Sequence, residues 1–277
     1  MAQTKKEIQS LLSQAEASPR QRLGQNFMID GNLVRLVAEA AEIRPGDLVL
    51  EIGPGTGTLT EELLKTAGEV LAVELDRNLA ALLRERFAET ANFQLIEADA
   101  LAEKHSLNAE LLAAIQKAKS AGRVVRLAAN LPYNIASPLV VELLIAGVDM
   151  LTFTVQREVA DRLRAGGGKD YGPLSIVTQL LARVEVLRKM PPQAFWPMPK
   201  VDSALVRLTR QDQLGKNAQK FSTFIHRLFS SRRKMLRKAL LNAEIDADRV
   251  LATTGASPTI RAEELTPGEC LKLFLAC

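Results

Sequence analysis

The chain has 277 residues, 47% of them apolar and 25% charged, which excludes global disorder and allows one large domain or two unequal ones. Cys270 and Cys277 exclude a disulfide framework and a cysteine-rich zinc site, and the scattered His105 and His226 give no metal-ligand spacing. No apolar run reaches the ~18–20 residues of a membrane span and no apolar signal core opens the chain, so the expectation is a cytoplasmic protein with neither metal nor membrane partner.

In chain order, a helix is expected over 5–17, then a basic loop over 19–27 that includes Arg22, then a helix over 31–43 stopped by Pro45-Gly46-Asp47. Apolar runs at 48–52, 70–75, 93–96, 124–128 and 151–155 alternate with helical patterns that include 59–65, 77–88 and 138–146. That alternation predicts a parallel sheet covered on both faces. The connection 101–122 is long, helical over 109–119, and has no evident role. Gly166-Gly167-Gly168-Lys169-Asp170-Tyr171-Gly172 reads as a mobile loop, with no P-loop lysine and hydroxyl pair following it. Strands over 184–188 and 204–208 flank the proline-rich stretch 190–200 and are expected to pair antiparallel at the end of the sheet.

After Arg210 the strand signal ends and a small helical domain follows. The expected division is 1–30, an N-terminal helix and loop; 31–212, an α/β domain with a Rossmann-like seven-stranded sheet; and 213–277, all-helical. The net charge of +4 is uneven: residues 200–240 hold eleven basic and two acidic side chains, while the rest of the chain is net −5. One helix over 221–241 is expected to turn Phe224, Leu228, Met235 and Ala239 inward. Most of its basic residues, Arg227, Arg233, Lys234, Arg237 and Lys238, then face a polyanion, while Arg232 sits close to the apolar face and has to reach around to it.

The first strand runs into Glu51-Ile52-Gly53-Pro54-Gly55-Thr56-Gly57, a glycine-rich turn before a helix. Thr58 stands where a dinucleotide fingerprint has its third glycine, and an acid at Glu51 would repel a pyrophosphate. The pattern suits a ligand with an ammonium group, which points to S-adenosylmethionine rather than a nicotinamide cofactor. Glu74 ends the second strand, where a carboxylate can accept both ribose hydroxyls. Asp99, in Glu97-Ala98-Asp99-Ala100, ends the third, where it can accept a bond from an adenine amine.

The fourth strand ends in Asn130-Leu131-Pro132-Tyr133. An amine conjugated to a purine ring is a poor nucleophile. The Asn130 side-chain oxygen and the Leu131 carbonyl can accept its two N–H bonds and localise its lone pair, Pro132 fixes the turn, and Tyr133 can stack on the base. Phe195 and Trp196, between prolines in a chain with few aromatics, are expected to divide their roles: Phe195 stacks on a base and Trp196 anchors the loop.

These segments together resemble the ribosomal RNA adenine dimethyltransferases, in particular the bacterial small-subunit type, from about Arg20 to near the C-terminus. The resemblance rests on Leu23-Gly24-Gln25-Asn26-Phe27-Met28-Ile29-Asp30, the Glu51–Gly57 turn, Asn130-Leu131-Pro132-Tyr133, the stretch from Phe195 to Ser203, and Ser231-Arg232-Arg233-Lys234-Met235-Leu236-Arg237-Lys238. It implies a class I methyltransferase fold and S-adenosylmethionine contacts at Asn26, Met28, Gly53, Glu74, Asp99 and Asn130; Glu51, Gly55 and Ala100 join them from the same turns. It also implies two methyl transfers to each of two adjacent adenosines near the end of small-subunit RNA, with Phe195 opposite Tyr133. Met28 replaces a usual leucine of nearly equal volume. The expected partner is that RNA within an assembling small subunit, met by a monomer. A large-subunit methylating relative, a non-catalytic factor on the same fold and a nicotinamide oxidoreductase are the competing readings; the extended basic C-terminal segment, the intact Asn130–Tyr133 motif and the glycine spacing argue against them in turn.

Overall fold

A computed structural model describes residues 3–20, 23–103 and 106–277. Two compact units emerge: Met1–Ala160 with Glu185–Thr209, and Asp161–Val184 with Arg210–Cys277. The expected boundary at 212/213 therefore misses an excursion, because residues 161–184 group with the C-terminal helices rather than with the sheet.

The elements in chain order are α1 (Lys5–Gln14), β1 (Phe27–Met28), α2 (Gly31–Ala40), β2 (Leu48–Ile52), α3 (Thr58–Leu64), β3 (Glu69–Glu74), α4 (Arg77–Arg86), β4 (Phe93–Glu97), β5 (Leu101–Glu103), β6 (Ser106–Leu107), α5 (Ala109–Ser120), β7 (Val125–Asn130), α6 (Ala136–Ile145), β8 (Met150–Gln156), α7 (Arg157–Arg164), α8 (Pro173–Leu181), β9 (Ala182–Met190), β10 (Phe195–Trp196), β11 (Ser203–Arg210), α9 (Ala218–Phe229), α10 (Leu236–Asn242), α11 (Ala247–Thr254) and α12 (Pro267–Leu275).

The seven-stranded sheet has the order β4-β3-β2-β7-β8-β11-β9. Its first five strands pair in parallel, and β11 joins β8 antiparallel. Every residue of β2 is buried, as a central strand covered on both faces requires. The chain moves outward from β2 to β3 and β4, then returns to lay β7 on the other side of β2. That reversal is the topological switch point of an open α/β sheet, where the carboxyl ends of β2 and β7 part to leave a crevice. The core against α2 and α3 is aliphatic, built from Val34, Val37, Val49, Leu59, Leu63, Val70 and Leu205. The Asp30 side chain caps α2 by accepting from the Asn32 and Leu33 amides.

Two short features carry no periodicity in the sequence. β1 pairs antiparallel with β10, setting Phe27 against Trp196 and Met28 against Phe195. β5 and β6 form a small ladder within the long 101–122 connection. α1 packs Ile8 and Leu12 with Phe27, Leu79 and Leu82.

In the second unit, Phe221, Phe224 and Phe274 pack together, with ring centroids 5.4 Å apart for Phe221–Phe274 and 5.5 Å for Phe224–Phe274. Tyr171, from the glycine-rich loop, is 1% exposed and donates to the Leu265 carbonyl at 2.6 Å. The end of that loop is therefore pinned in the core, rather than free as expected. The single helix expected over 221–241 is two helices. Ser230 donates its hydroxyl to the Arg227 carbonyl at 2.7 Å and the Lys234 amide bonds the Ser231 carbonyl at 2.8 Å, so a serine turn competes with helix continuation. Met235 falls outside both helices and is 58% exposed, not part of an apolar face.

Candidate active site

Within the first unit, the carboxyl ends of β2, β3, β4 and β7 line a crevice of about 920 Å³, open mouth included. Asn26, Met28, Glu51, Gly53, Gly55, Glu74, Asp99, Ala100 and Asn130 all line it, so every residue expected to hold the cofactor comes together. Pro132 joins them, whereas Leu131, Tyr133 and Phe195 are not among the lining residues.

The glycine turn is shaped for close approach. Gly53, Gly55 and Gly57 all have positive φ, at 70°, 61° and 83°. A Cβ on Gly55 would lie 2.8 Å from the Phe27 ring, so only glycine lets Phe27 close over the turn.

Two carboxylates are buried behind this turn. Glu51 is 2% exposed and accepts from the Thr60 hydroxyl at 2.6 Å. Burial pushes its carboxyl up to about 8, against the Thr60 bond, and the Glu74 charge adds to the rise. Glu74 is 4% exposed; it accepts from the Gly55 amide at 3.1 Å and the Asp76 amide at 2.9 Å. Burial lifts it to about 7, although both amides favour its charged form. Glu74 thus ties the end of β3 to the turn after β2 and keeps lone pairs for two further donors. Asp99 is exposed and uses Oδ1 to accept from the Leu101 amide at 3.0 Å, leaving Oδ2 at the rim.

At the end of β7, the Asn130 amide nitrogen donates to the Asn26 carbonyl at 2.6 Å, and its oxygen accepts from the Thr154 hydroxyl. A carbonyl only accepts, so this bond fixes which end of the amide is oxygen. The next turn is held as well: Tyr133 Oη lies 2.7 Å from Ser203 Oγ, and burial raises the phenol above its ordinary value. Leu131 is 1% exposed.

The expected roles of the two aromatics are reversed in exposure. Phe195 is 2% exposed and packs with Met28, Val34, Ala194 and Leu205, so its ring has no open face for a base. Trp196 is the half-buried one, stacked on Phe27 at 6.4 Å with Lys5 Nζ 6.0 Å from its ring centre. Adjacent strand residues face opposite ways, and the wholly apolar ring takes the inward position.

In the second unit, Arg232 pairs with Glu263 at 2.8 Å and Arg237 with Asp248 at 3.0 Å. Arg233, Lys234 and Lys238 are exposed and make no ion pair among the described residues. Arg22 lies outside the described residues. Thr60 and Thr154 carry no signal as site residues in the sequence; Ser203 has one, as the end of the segment that starts at Phe195. Among the described residues no group of three His, Cys, Asp or Glu could hold a metal ion, and no helix is long and apolar enough to cross a membrane.

The profile described as "Ribosomal RNA adenine dimethylase" matches residues 17–276. The chain is 36% identical to the ribosomal RNA small subunit methyltransferase A of Natranaerobius thermophilus, covering 97% of this chain and 95% of that one, and 40% identical to the protein of that name from Magnetococcus marinus, covering 96% and 94%. Among solved structures, the 23S rRNA methyltransferase ErmE superposes with a TM-score of 0.64 at 28% identity, covering 91% and 99%. A dimethyladenosine transferase from Plasmodium falciparum superposes with a TM-score of 0.69 at 24% identity, covering 90% and 96%, a likeness of fold. The converging strand ends and a match along nearly the whole chain lead to one conclusion: the chain belongs to the ribosomal RNA adenine dimethylase family.

Proposed function

We propose that the protein transfers methyl groups from S-adenosylmethionine to the N6 amines of two adjacent adenosines near the 3′ end of small-subunit ribosomal RNA, giving N6,N6-dimethyladenosine during subunit assembly. The observation that carries this reading is the convergence of Glu51, Glu74, Asp99 and Asn130 on one crevice at the switch point of the sheet.

The residues present fit the cofactor. Glu51 is a buried carboxylate with no cation beside it among the described residues, suited to an ammonium group. Glu74 has lone pairs for ribose hydroxyls, Asp99 has a free oxygen for an adenine amine, and the glycine turn admits close backbone approach. When bound, the cofactor supplies an electrophilic methyl on a positively charged sulfur.

The chain's own residues then act by positioning. Asn130 Oδ1 spends one lone pair on Thr154 and keeps the other for an N–H of the target amine. The Leu131 carbonyl takes the second N–H, and Tyr133, held through Ser203, offers its ring to the base. Phe195, buried as it is, supports Met28 and the crevice wall rather than the base. Arg233, Lys234 and Lys238 meet phosphates, which positions RNA without reading its sequence. The test is incubation with methyl-labelled cofactor and unmethylated small subunits. Label in the RNA supports the reading, and label confined to protein, or none, refutes it.

A further inference from the structure

β7 and β8 lie side by side with Asn130 in register with Thr154, so the two side chains stand next to each other at the strand ends. Thr154 is 0% exposed. A hydroxyl buried so deeply costs stability unless it is bonded, and this one donates to Asn130 Oδ1. Asn130 is therefore held at both ends: by the Asn26 carbonyl at its nitrogen and by Thr154 at its oxygen. Asn26 comes from the loop before β1, so that carbonyl alone leaves the oxygen end without a fixed partner. The strand hydroxyl supplies the second point, from a buried position on β8.

We propose that Thr154 is a positioning residue for methyl transfer: its hydroxyl fixes the Asn130 carboxamide so that one lone pair of Oδ1 faces the target amine. This rests on the methyltransferase reading of the site. Thr154 touches neither ligand in this account; it acts only through Asn130. Valine at this position keeps the β-branched shape and the strand while removing the donor. Serine keeps the donor.

Thr152 gives an internal control. It lies on the same face of β8, is also 0% exposed, and donates to the Ala40 carbonyl at 3.3 Å, away from Asn130. Thr152→Val measures what losing a buried hydroxyl on this strand does to stability alone.

The experiment compares Thr154→Val, Thr154→Ser and Thr152→Val by single-turnover methylation of unmethylated small subunits. In parallel, the Asn130 side-chain amide is followed by ¹⁵N NMR with no substrate present. Thr154→Val is expected to slow transfer about ten- to hundredfold while RNA affinity holds within about twofold, as expected when an orienting contact rather than a binding contact is lost. Thr154→Ser restores most of the rate, and Thr152→Val keeps it. The Asn130 amide resonances shift or broaden in Thr154→Val only. A Thr154→Val rate within about twofold of wild type, equal loss in the valine and serine variants, or unchanged Asn130 resonances overturns the proposal. If the wild-type protein transfers no methyl group, the methyltransferase reading fails, while the amide resonances still decide whether Thr154 holds Asn130.

Discussion

In the first compact unit, Glu51 and Glu74 are 2% and 4% exposed and face hydroxyl and backbone donors, with no ion pair among the described residues. In the second, Glu263 and Asp248 answer Arg232 and Arg237 at or near the surface. The difference separates function from scaffolding. A buried carboxylate without a cation carries a burial cost that its hydrogen bonds offset in part and a ligand's donors or positive charge offset further, whereas an exposed ion pair is nearly neutral for stability and leaves its neighbours available for phosphate. The aromatic residues divide as well: the sheet core is mainly aliphatic, while Phe221, Phe224 and Phe274 close the helical unit.

The largest effect is expected at Asn130. Asn130→Ala removes the acceptor for the target amine and should slow transfer at least about a hundredfold with RNA affinity retained. Single-turnover rates with a parallel binding assay check this. Next comes Glu74→Ala, which loses the ribose acceptor and the tie to the Gly55 amide. Cofactor affinity should fall roughly ten- to hundredfold by calorimetry, as for a lost charged hydrogen bond; unchanged affinity removes Glu74 from the site.

The pH dependence sharpens the same contrast. Glu51 at about 8 and Glu74 at about 7 lie above the ordinary carboxylate value of 4.5, so between pH 4.5 and 8 the folded protein holds more protons than the unfolded chain. Stability therefore falls as pH rises through that window. A cationic ligand needs both groups ionised, so its affinity rises over the same range. Glu51→Gln should raise the melting temperature at pH 9 by a few degrees while lowering cofactor affinity and flattening its pH slope. Melting curves at pH 6 and 9, and cofactor titrations at pH 6 and 8, decide it.

Smaller effects belong to the second unit. Neutralising Arg233 and Lys234 should weaken RNA binding and reduce its salt slope by up to about two; an unaltered slope means that this turn is solvated and meets no phosphate. Smallest of all, Asp248→Asn should leave the melting temperature at neutral pH unchanged, because the Arg237 bond that lowers this carboxyl is fully exposed.

The sheet and the residues that line the crevice were legible because apolar runs such as Leu48–Ile52 and the strand-end acids follow directly from strand periodicity and topology. Pro173 in the first turn of α8 is a readable start signal, yet nothing local tells that residues 161–184 pack with the later helices. β1 and β10 have two residues each, too few for a pattern, so the inward turn of Phe195 depends on a pairing 169 positions apart, Phe27 with Trp196 setting its register. Thr154 sits in the run Leu151-Thr152-Phe153-Thr154-Val155, where a hydroxyl looks like any strand residue until β7 is laid beside it. The serine turn at Ser230–Ser231 that divides α9 from α10 was likewise hidden beneath a basic helical pattern.

The most direct measurement is mass analysis of nuclease digests of small-subunit RNA after incubation with the protein and S-adenosylmethionine. N6,N6-dimethyladenosine is expected at two adjacent positions near the 3′ end. Methyl groups on a ribose, on a cytosine, or on no nucleoside at all would contradict it.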